Sequence, residues 1–307
     1  MKVYNLDTNL LDNNNKLDEE KLYSILKNNI KYLNSSSLEN NTNNNTVNNI
    51  YNIEINNNKY LLKTLLYNQL RNADKEILNM TKINSNKLVK PYILQCKYMV
   101  KTSDMIVSIF ENVNSMLISN FINNIHNLYD NAKRIKLKRY LIIGLLKATN
   151  DLHKANVCHL QINVNNILIS MNNNYNENKT YTEKSPINIK FINFNLNFNN
   201  KKKKYIHVNQ LKPLDPFINY NETNKFITLE EGKKYDLWCI SLIIFKILLP
   251  SNIYNNLITK IISDKNFEYD ISIDDEFISI YNNLKIYSLI ALYKRENIDF
   301  ILNKIIL

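Results

Sequence analysis

Residues 153–169, HKANVCHLQINVNNILI, decide how this chain is read, because they set a polar, amide-rich loop between a helix and a strand. The helical periodicity of residues 137–159 runs into the loop, and the apolar run NILI carries the chain out as a strand. His159 and Asn166 stand at the two ends of the loop, with Leu160, Gln161 and Asn163 between them. An amide cannot accept a proton at neutral pH, so Gln161 cannot serve as a base.

Further stretches stand in order on either side. Upstream, KYLLKTL (59–65) is an apolar strand holding Lys63. ADKEILNMTKINSNKLVKPYIL (73–94), which holds Glu76, and IVSIFENV (106–113), which reaches Glu111, follow it. Downstream come IKFINFNL (189–196), which contains Asn193-Phe194-Asn195, and KKYDLWCISLIIFKILL (233–249), which has Asp236 and Trp238 near its start. In this order the stretches resemble the protein kinase superfamily over roughly residues 44–305. The resemblance implies a helix and then a strand over 73–94, a strand over 106–113, a strand over 189–196 and a helix over 233–249. As a whole it implies an α+β, two-lobed protein kinase fold. Its small, mostly-β lobe would span 44–113 and its larger, mostly-α lobe 114–307, after an N-terminal extension, 1–43.

The resemblance also assigns roles. In the family's catalytic loop an Arg and an Asp follow the His, and here Leu160 and Gln161 stand in their places. Asn163 takes the place of a Lys that touches the transferred phosphate, and Asn193 that of the Asp that binds magnesium. Asn166 matches the second metal ligand, Lys63 and Glu76 the pair that grips the nucleotide phosphates, and Glu111 the interlobe hinge. His159, Phe194, Asp236 and Trp238 match residues that hold the fold, with Asp236 capping the backbone of the loop. Residues needed for chemistry are thus changed where those needed for architecture are kept, which implies a pseudokinase. ATP binding would be weak, and a magnesium site would lack its charge. Such a protein acts through a protein partner, an active kinase or that kinase's substrate. The alternatives are a weak serine/threonine kinase using Asp215 or Glu222, and a helical interaction module unrelated to kinases.

Within the superfamily, TLEEGKKYDLWCIS (228–241) and YSLIALYKRENIDFILNKII (287–306) resemble the vaccinia-related kinase and casein kinase 1 group, with Lys233 and Lys234 where that group has paired arginines. The Asn, Lys, Ile and Tyr excess, with only two glycines, fits an A+T-biased coding sequence of poxvirus or protist type. The group's phosphate loop would fall before residue 49, where Asn43, Asn45 and Asn48 reproduce the glycine spacing without the glycines.

Composition narrows the rest. At 307 residues and 45% apolar, the chain can bury two cores. The longest apolar run, ISLIIFKILL (240–249), is too short to span a bilayer and contains Lys246, and no leader pattern opens the chain. Cys96, Cys158 and Cys239 are odd in number and far apart, which fits reduced thiols in the cytoplasm or nucleus. The net charge of +11 is compatible with a nucleic-acid partner. Lys201 to Lys204 form the one dense basic run, readable as a solvated loop or as a contact for phosphate. Residues 16–33 carry amphipathic helix spacing, 35–49 and 172–185 are polar low-complexity segments, and three asparagines between IYNIEI and KYLLKTL predict a hairpin. Lys63 and Glu76 are equally readable as an ordinary surface ion pair, and Asn166 as a loop-stabilising amide.

Overall fold

The computed structural model describes residues 49–55, 58–66, 79, 83, 85–101, 105–111, 115–128, 130–171, 186–194, 198–199, 203–207, 211, 224–263, 278 and 282. The helix expected over 16–33, the asparagines at 43, 45 and 48, Glu76, Lys201, Lys202, the insertion 172–185, Asp215, Glu222 and the closing pattern 287–306 lie outside the described residues. The fold class is α+β, with antiparallel pairing in every described sheet.

The described residues from 49 to 84 and from 94 to 111 form one unit; residues 85–93 and those from 115 onward form another. The first is built on a four-stranded sheet of β1 (Asn49–Ile55), β2 (Asn58–Leu66), β3 (Cys96–Lys101) and β4 (Met105–Glu111), in the order β1-β2-β4-β3. The β1–β2 register runs from Asn49 opposite Thr64 to Ile55 opposite Asn58, so the third asparagine of the hairpin already belongs to β2. Leu61, Ile109, Phe110, Ile83 and Leu94 are buried in this unit.

The strand expected at the end of 73–94 is not there. Lys90–Tyr92 is instead a 3-10 turn, and the next strand begins at Cys96. Pro91 supplies the reason, since it has no N–H for a ladder and its fixed φ suits the first positions of a turn. Ile93 makes only a single parallel bridge, to Phe191.

The second unit holds β5 (Met116–Leu117), α1 (Ile118–Leu128), α2 (Asn131–Lys154), β6 (Val157–Cys158), β7 (Ile167–Met171) and β8 (Ile187–Phe191). It continues with β9 (Phe198–Asn199), β10 (Lys203–His207), β11 (Asn224–Thr228), α3 (Leu229–Leu248) and α4 (Ser251–Ser263). Its sheets are β5-β7-β8, β6-β9 and β10-β11. Asp130 caps α2 by accepting from the Lys133 amide, 2.9 Å away. Thr228 and Glu231 close α3 with a capping box. From Tyr235 to Phe245 every residue of α3 is buried, which makes it the central helix of this unit.

Both glycines of the chain lie where helices come close to strands. A Cβ on Gly144 of α2 would sit 2.9 Å from Ile189 Cδ1, and one on Gly232 of α3 would sit 3.1 Å from Cys158 Sγ. The Tyr92 hydroxyl, after the turn at Pro91, bonds Asp151 of α2. Burial and that carboxylate push its pKa up to about 12. Among the described residues, no helix is long and apolar enough to cross a membrane.

Candidate functional site

The loop of residues 159–166 hangs between β6 and β7, and α3 holds its first turn through one carboxylate. Asp236 is fully buried; its Oδ2 accepts from the His159 amide (2.7 Å) and its Oδ1 from the Leu160 amide (2.8 Å). His153, at the end of α2, brings Nε2 to 3.2 Å from the same Oδ2. One α3 side chain therefore ties α2 and the loop together. Charge-assisted bonds of this kind are about twice as strong as neutral ones.

The hydrogen bonds fix the tautomer of His159. Nδ1 accepts from the Gln161 amide (3.2 Å), so the proton is on Nε2, which donates to the Ile192 carbonyl (2.9 Å). The ring packs on Phe194 with centroids 4.4 Å apart and on Phe191 at 5.7 Å. His159 thus joins the loop to the chain leaving β8.

Two residues here have left-handed backbones. Asn193, at φ 66°, is a type that tolerates this conformation, but Leu160, at φ 63°, is not. Such strain costs about 1–3 kcal/mol and persists where surroundings over-determine it. The amide of Leu160 is held by Asp236 and its side chain is wholly buried.

The amides of the loop bond one another. The Gln161 carbonyl accepts from Asn163 Nδ2 (3.1 Å) and Asn166 Nδ2 (2.7 Å). Asn163 Oδ1 accepts from the Asn165 amide (2.9 Å), so both ends of the Asn163 side chain serve the turn. Asn166 Oδ1 accepts from Asn193 Nδ2 (2.5 Å), and the Asn166 carbonyl accepts from the Ile192 amide (3.0 Å). Gln161, Asn163, Asn166 and Asn193 are thereby brought into one network. The side-chain oxygen of Gln161 is shut from solvent without a hydrogen-bond partner. Residues 159–166 and 192–194 contain no Asp or Glu, so these residues themselves supply no carboxylate as a base or a metal ligand.

The remaining candidates lie elsewhere. Lys63 is on β2, opposite Ile50 and Ser108, and is 4% exposed, so it is not a surface lysine. Glu111, at the end of β4, spends both its amide and its carboxylate on Gln95: its N–H donates to the Gln95 carbonyl (3.0 Å), and Oε1 accepts from the Gln95 amide (3.2 Å). Trp238 is buried in α3.

His153, Cys158 and Asp236 bring one donor atom each within 4.8 Å of one another, a set that zinc can use. Each donor already serves the fold. Asp236 and His153 are bonded as described, and the Cys158 thiol donates to the Leu229 carbonyl (3.5 Å). Burial, reinforced by Asp236, pushes that thiol well above the usual range, whereas a metal needs the thiolate.

Sequence reading missed His153 as a partner of Asp236 and missed the contact of Cys158 with Gly232. These residues are far apart in the chain, and no spacing announces that they meet. The Thr228-x-x-Glu231 pattern was a readable start signal for α3. No protein-family model and no curated protein matches this chain.

Proposed function

We propose that this chain has the two-lobed protein kinase fold with its phosphoryl-transfer centre replaced by a closed network of amides, and that it works as a binding or regulatory protein. The observation that carries the reading is the chain of bonds from Asn193 through Asn166 to the Gln161 carbonyl. Phosphoryl transfer relies on cations held by carboxylates, and a magnesium ion takes oxygen ligands. Here the Asn166 oxygen is occupied by an N–H of Asn193, so an arriving cation would have to break that bond and would gain no negative charge. Gln161 offers a carbonyl oxygen where a base would be needed. The loop itself is firmly held by Asp236 and His159, which suits a surface that binds a protein partner.

The test is thermal unfolding of the whole protein with ATP, with and without magnesium, beside a radiolabelled phosphate-transfer assay. A ligand that binds only the folded state raises stability with the logarithm of its concentration over Kd. The expected result is a small shift that is the same with and without magnesium, and no transfer. A large shift that requires magnesium, or transfer that disappears on Lys63→Met, would overturn the reading in favour of an active serine/threonine kinase.

A further inference from the structure

Arg134, near the start of α2, is half-buried, and its Nε is shut from solvent with no hydrogen-bond partner. Its Nη2 donates to Asn131 Oδ1, and among the described residues the guanidinium has no carboxylate partner. A guanidinium is always charged, so enclosing one of its N–H groups without an acceptor is costly. That N–H suits an acceptor brought from outside the chain.

Other cationic groups gather at the same place. Lys138, one turn further along α2 and so on the same side of the helix, is 5% exposed. His126, in the last turn of α1, hydrogen-bonds the backbone of Lys246 near the end of α3, so three helices meet here. Burial lowers the pKa of His126 first, then the charge of Lys138; the bond to Lys246 opposes them, and Arg134 lowers it further. Both cations of α2 therefore lie close enough for the ring to feel. Acids are scarce on these elements: residues 112–150 contain one, Asp130, against Lys133, Arg134, Lys136, Lys138, Arg139 and Lys147. Asp130 is exposed and spends Oδ1 on the Lys133 amide.

A guanidinium, an ammonium and an imidazole in one place complement more than a single negative charge. A carboxylate brings one, whereas a phosphate monoester carries about −1.5 to −2 near pH 7 and offers three strong acceptor oxygens. A guanidinium edge also matches the geometry of phosphate oxygens. The low exposure of Lys138 and of Arg134 Nε favours a compact group over a nucleic-acid backbone, whose phosphates are diesters with one charge each.

We infer that the junction of α1, α2 and α3 is a binding site for a phosphate dianion, free or as a monoester, with Arg134 Nε donating to it and Lys138 and His126 beside it. The inference does not depend on the kinase-like reading, since it uses neither the loop at 159–166 nor the residues matched to a nucleotide.

The experiment follows the histidine ring signals of the full chain by NMR while phosphate replaces chloride at constant ionic strength. The His126 signal is the one missing from His126→Gln. Bound phosphate places negative charge beside the ring, so the pKa of His126 should rise and level off as the site fills. Arg134→Gln removes the charge and the Nε–H, and should need about tenfold more phosphate for the same response, the worth of a hydrogen bond to a charged group. Arg134→Lys should weaken binding too, because it keeps the charge but not the guanidinium edge. A short phosphoserine peptide separates the two sources: tighter binding than free phosphate assigns the site to a phosphorylated protein, and weaker binding assigns it to the free anion.

No response of His126 to phosphate, a response unchanged in Arg134→Gln, or equal binding of the unphosphorylated peptide would overturn the inference. Arg134→Lys that binds like the parent would do so as well, since charge alone would then suffice. Should both variants misfold, the unaltered protein decides: a rise that saturates supports the inference, and a drift that grows steadily with phosphate overturns it.

Discussion

At the scale of single residues, the contrast between Asp236 and Asn193 describes the site. Asp236 keeps its carboxylate and spends it on backbone amides; Asn193 offers an amide and spends it on Asn166. Replacing Asp236 with Ala would leave two buried amides unpaired, at about 1–3 kcal/mol each. Chemical unfolding followed by the fluorescence of Trp238, the only tryptophan, should show a loss of about 3 kcal/mol or more. Because Trp238 is buried in α3, this signal reports its own unit. Asn193→Asp tests the other half of the contrast. The variant loses the N–H that satisfies Asn166 Oδ1 and sets two oxygens against each other, so in EDTA it should melt below the parent protein. Millimolar magnesium should then restore part of the loss, because two facing oxygens with a negative charge begin a site for a hard cation. The parent should not respond. A variant indifferent to magnesium would show that the space between residues 166 and 193 cannot admit a cation, and that the amide network is not standing in for one.

At the scale of elements, the caps and close contacts around α3 give the next tests. Thr228 Oγ1 accepts from the Glu231 amide and Glu231 Oε2 accepts from the Thr228 amide. Thr228→Ala should therefore cost about 1 kcal/mol in the same unfolding measurement. Gly232→Ala would place a methyl 3.1 Å from Cys158 Sγ and 3.3 Å from its Cβ, and overpacking of this kind costs about 1–3 kcal/mol. Adding Cys158→Ala should recover part of that loss by removing the sulfur, and non-additivity between the two changes would prove the contact. The elements also show where sequence reading succeeds. β2 and α2 were legible from their apolar spacing, whereas β4 and α3 were placed by the resemblance, since α3, buried at every position from Tyr235 to Phe245, has no polar face to set a period. The α+β class follows from those four. The start of α2 was not legible, since Asp130 caps a turn whose residues 133–139 are mostly basic and carry little apolar signal. The strand expected near residue 94 failed because Pro91 outweighed the apolar run around it. In the site, the amide-rich loop was visible from composition, but the hydrogen bonds that close it were not. In a chain so rich in asparagine, no pattern distinguishes the residues that bond each other, such as Asn163, Asn166 and Asn193, from those that do not.

At the scale of the whole molecule, the excess of positive charge sets how the fold meets acid. Net charge is +11 before any histidine is protonated, so each further proton is added against repulsion. His126, on α1, feels this locally. Burial lowers its pKa first, then the charges of Lys138 and Arg134 on α2, and a hydrogen bond with the backbone of Lys246 on α3 opposes them only in part. Its folded pKa therefore lies below the ordinary 6.5 that it has when unfolded. Between the two values the unfolded chain binds more protons than the folded one, so stability falls as pH falls through 6.5 and levels off below the folded pKa. Melting temperature, followed by Trp238, should drop between about pH 7.5 and pH 5.5, where an unperturbed histidine titrates. The informative comparison is with His126→Gln, which keeps a polar group but cannot titrate. The variant should lose less stability over that interval than the parent, while above pH 7 the pH dependence of the two should run parallel. Equal losses would place the acid sensitivity at another group.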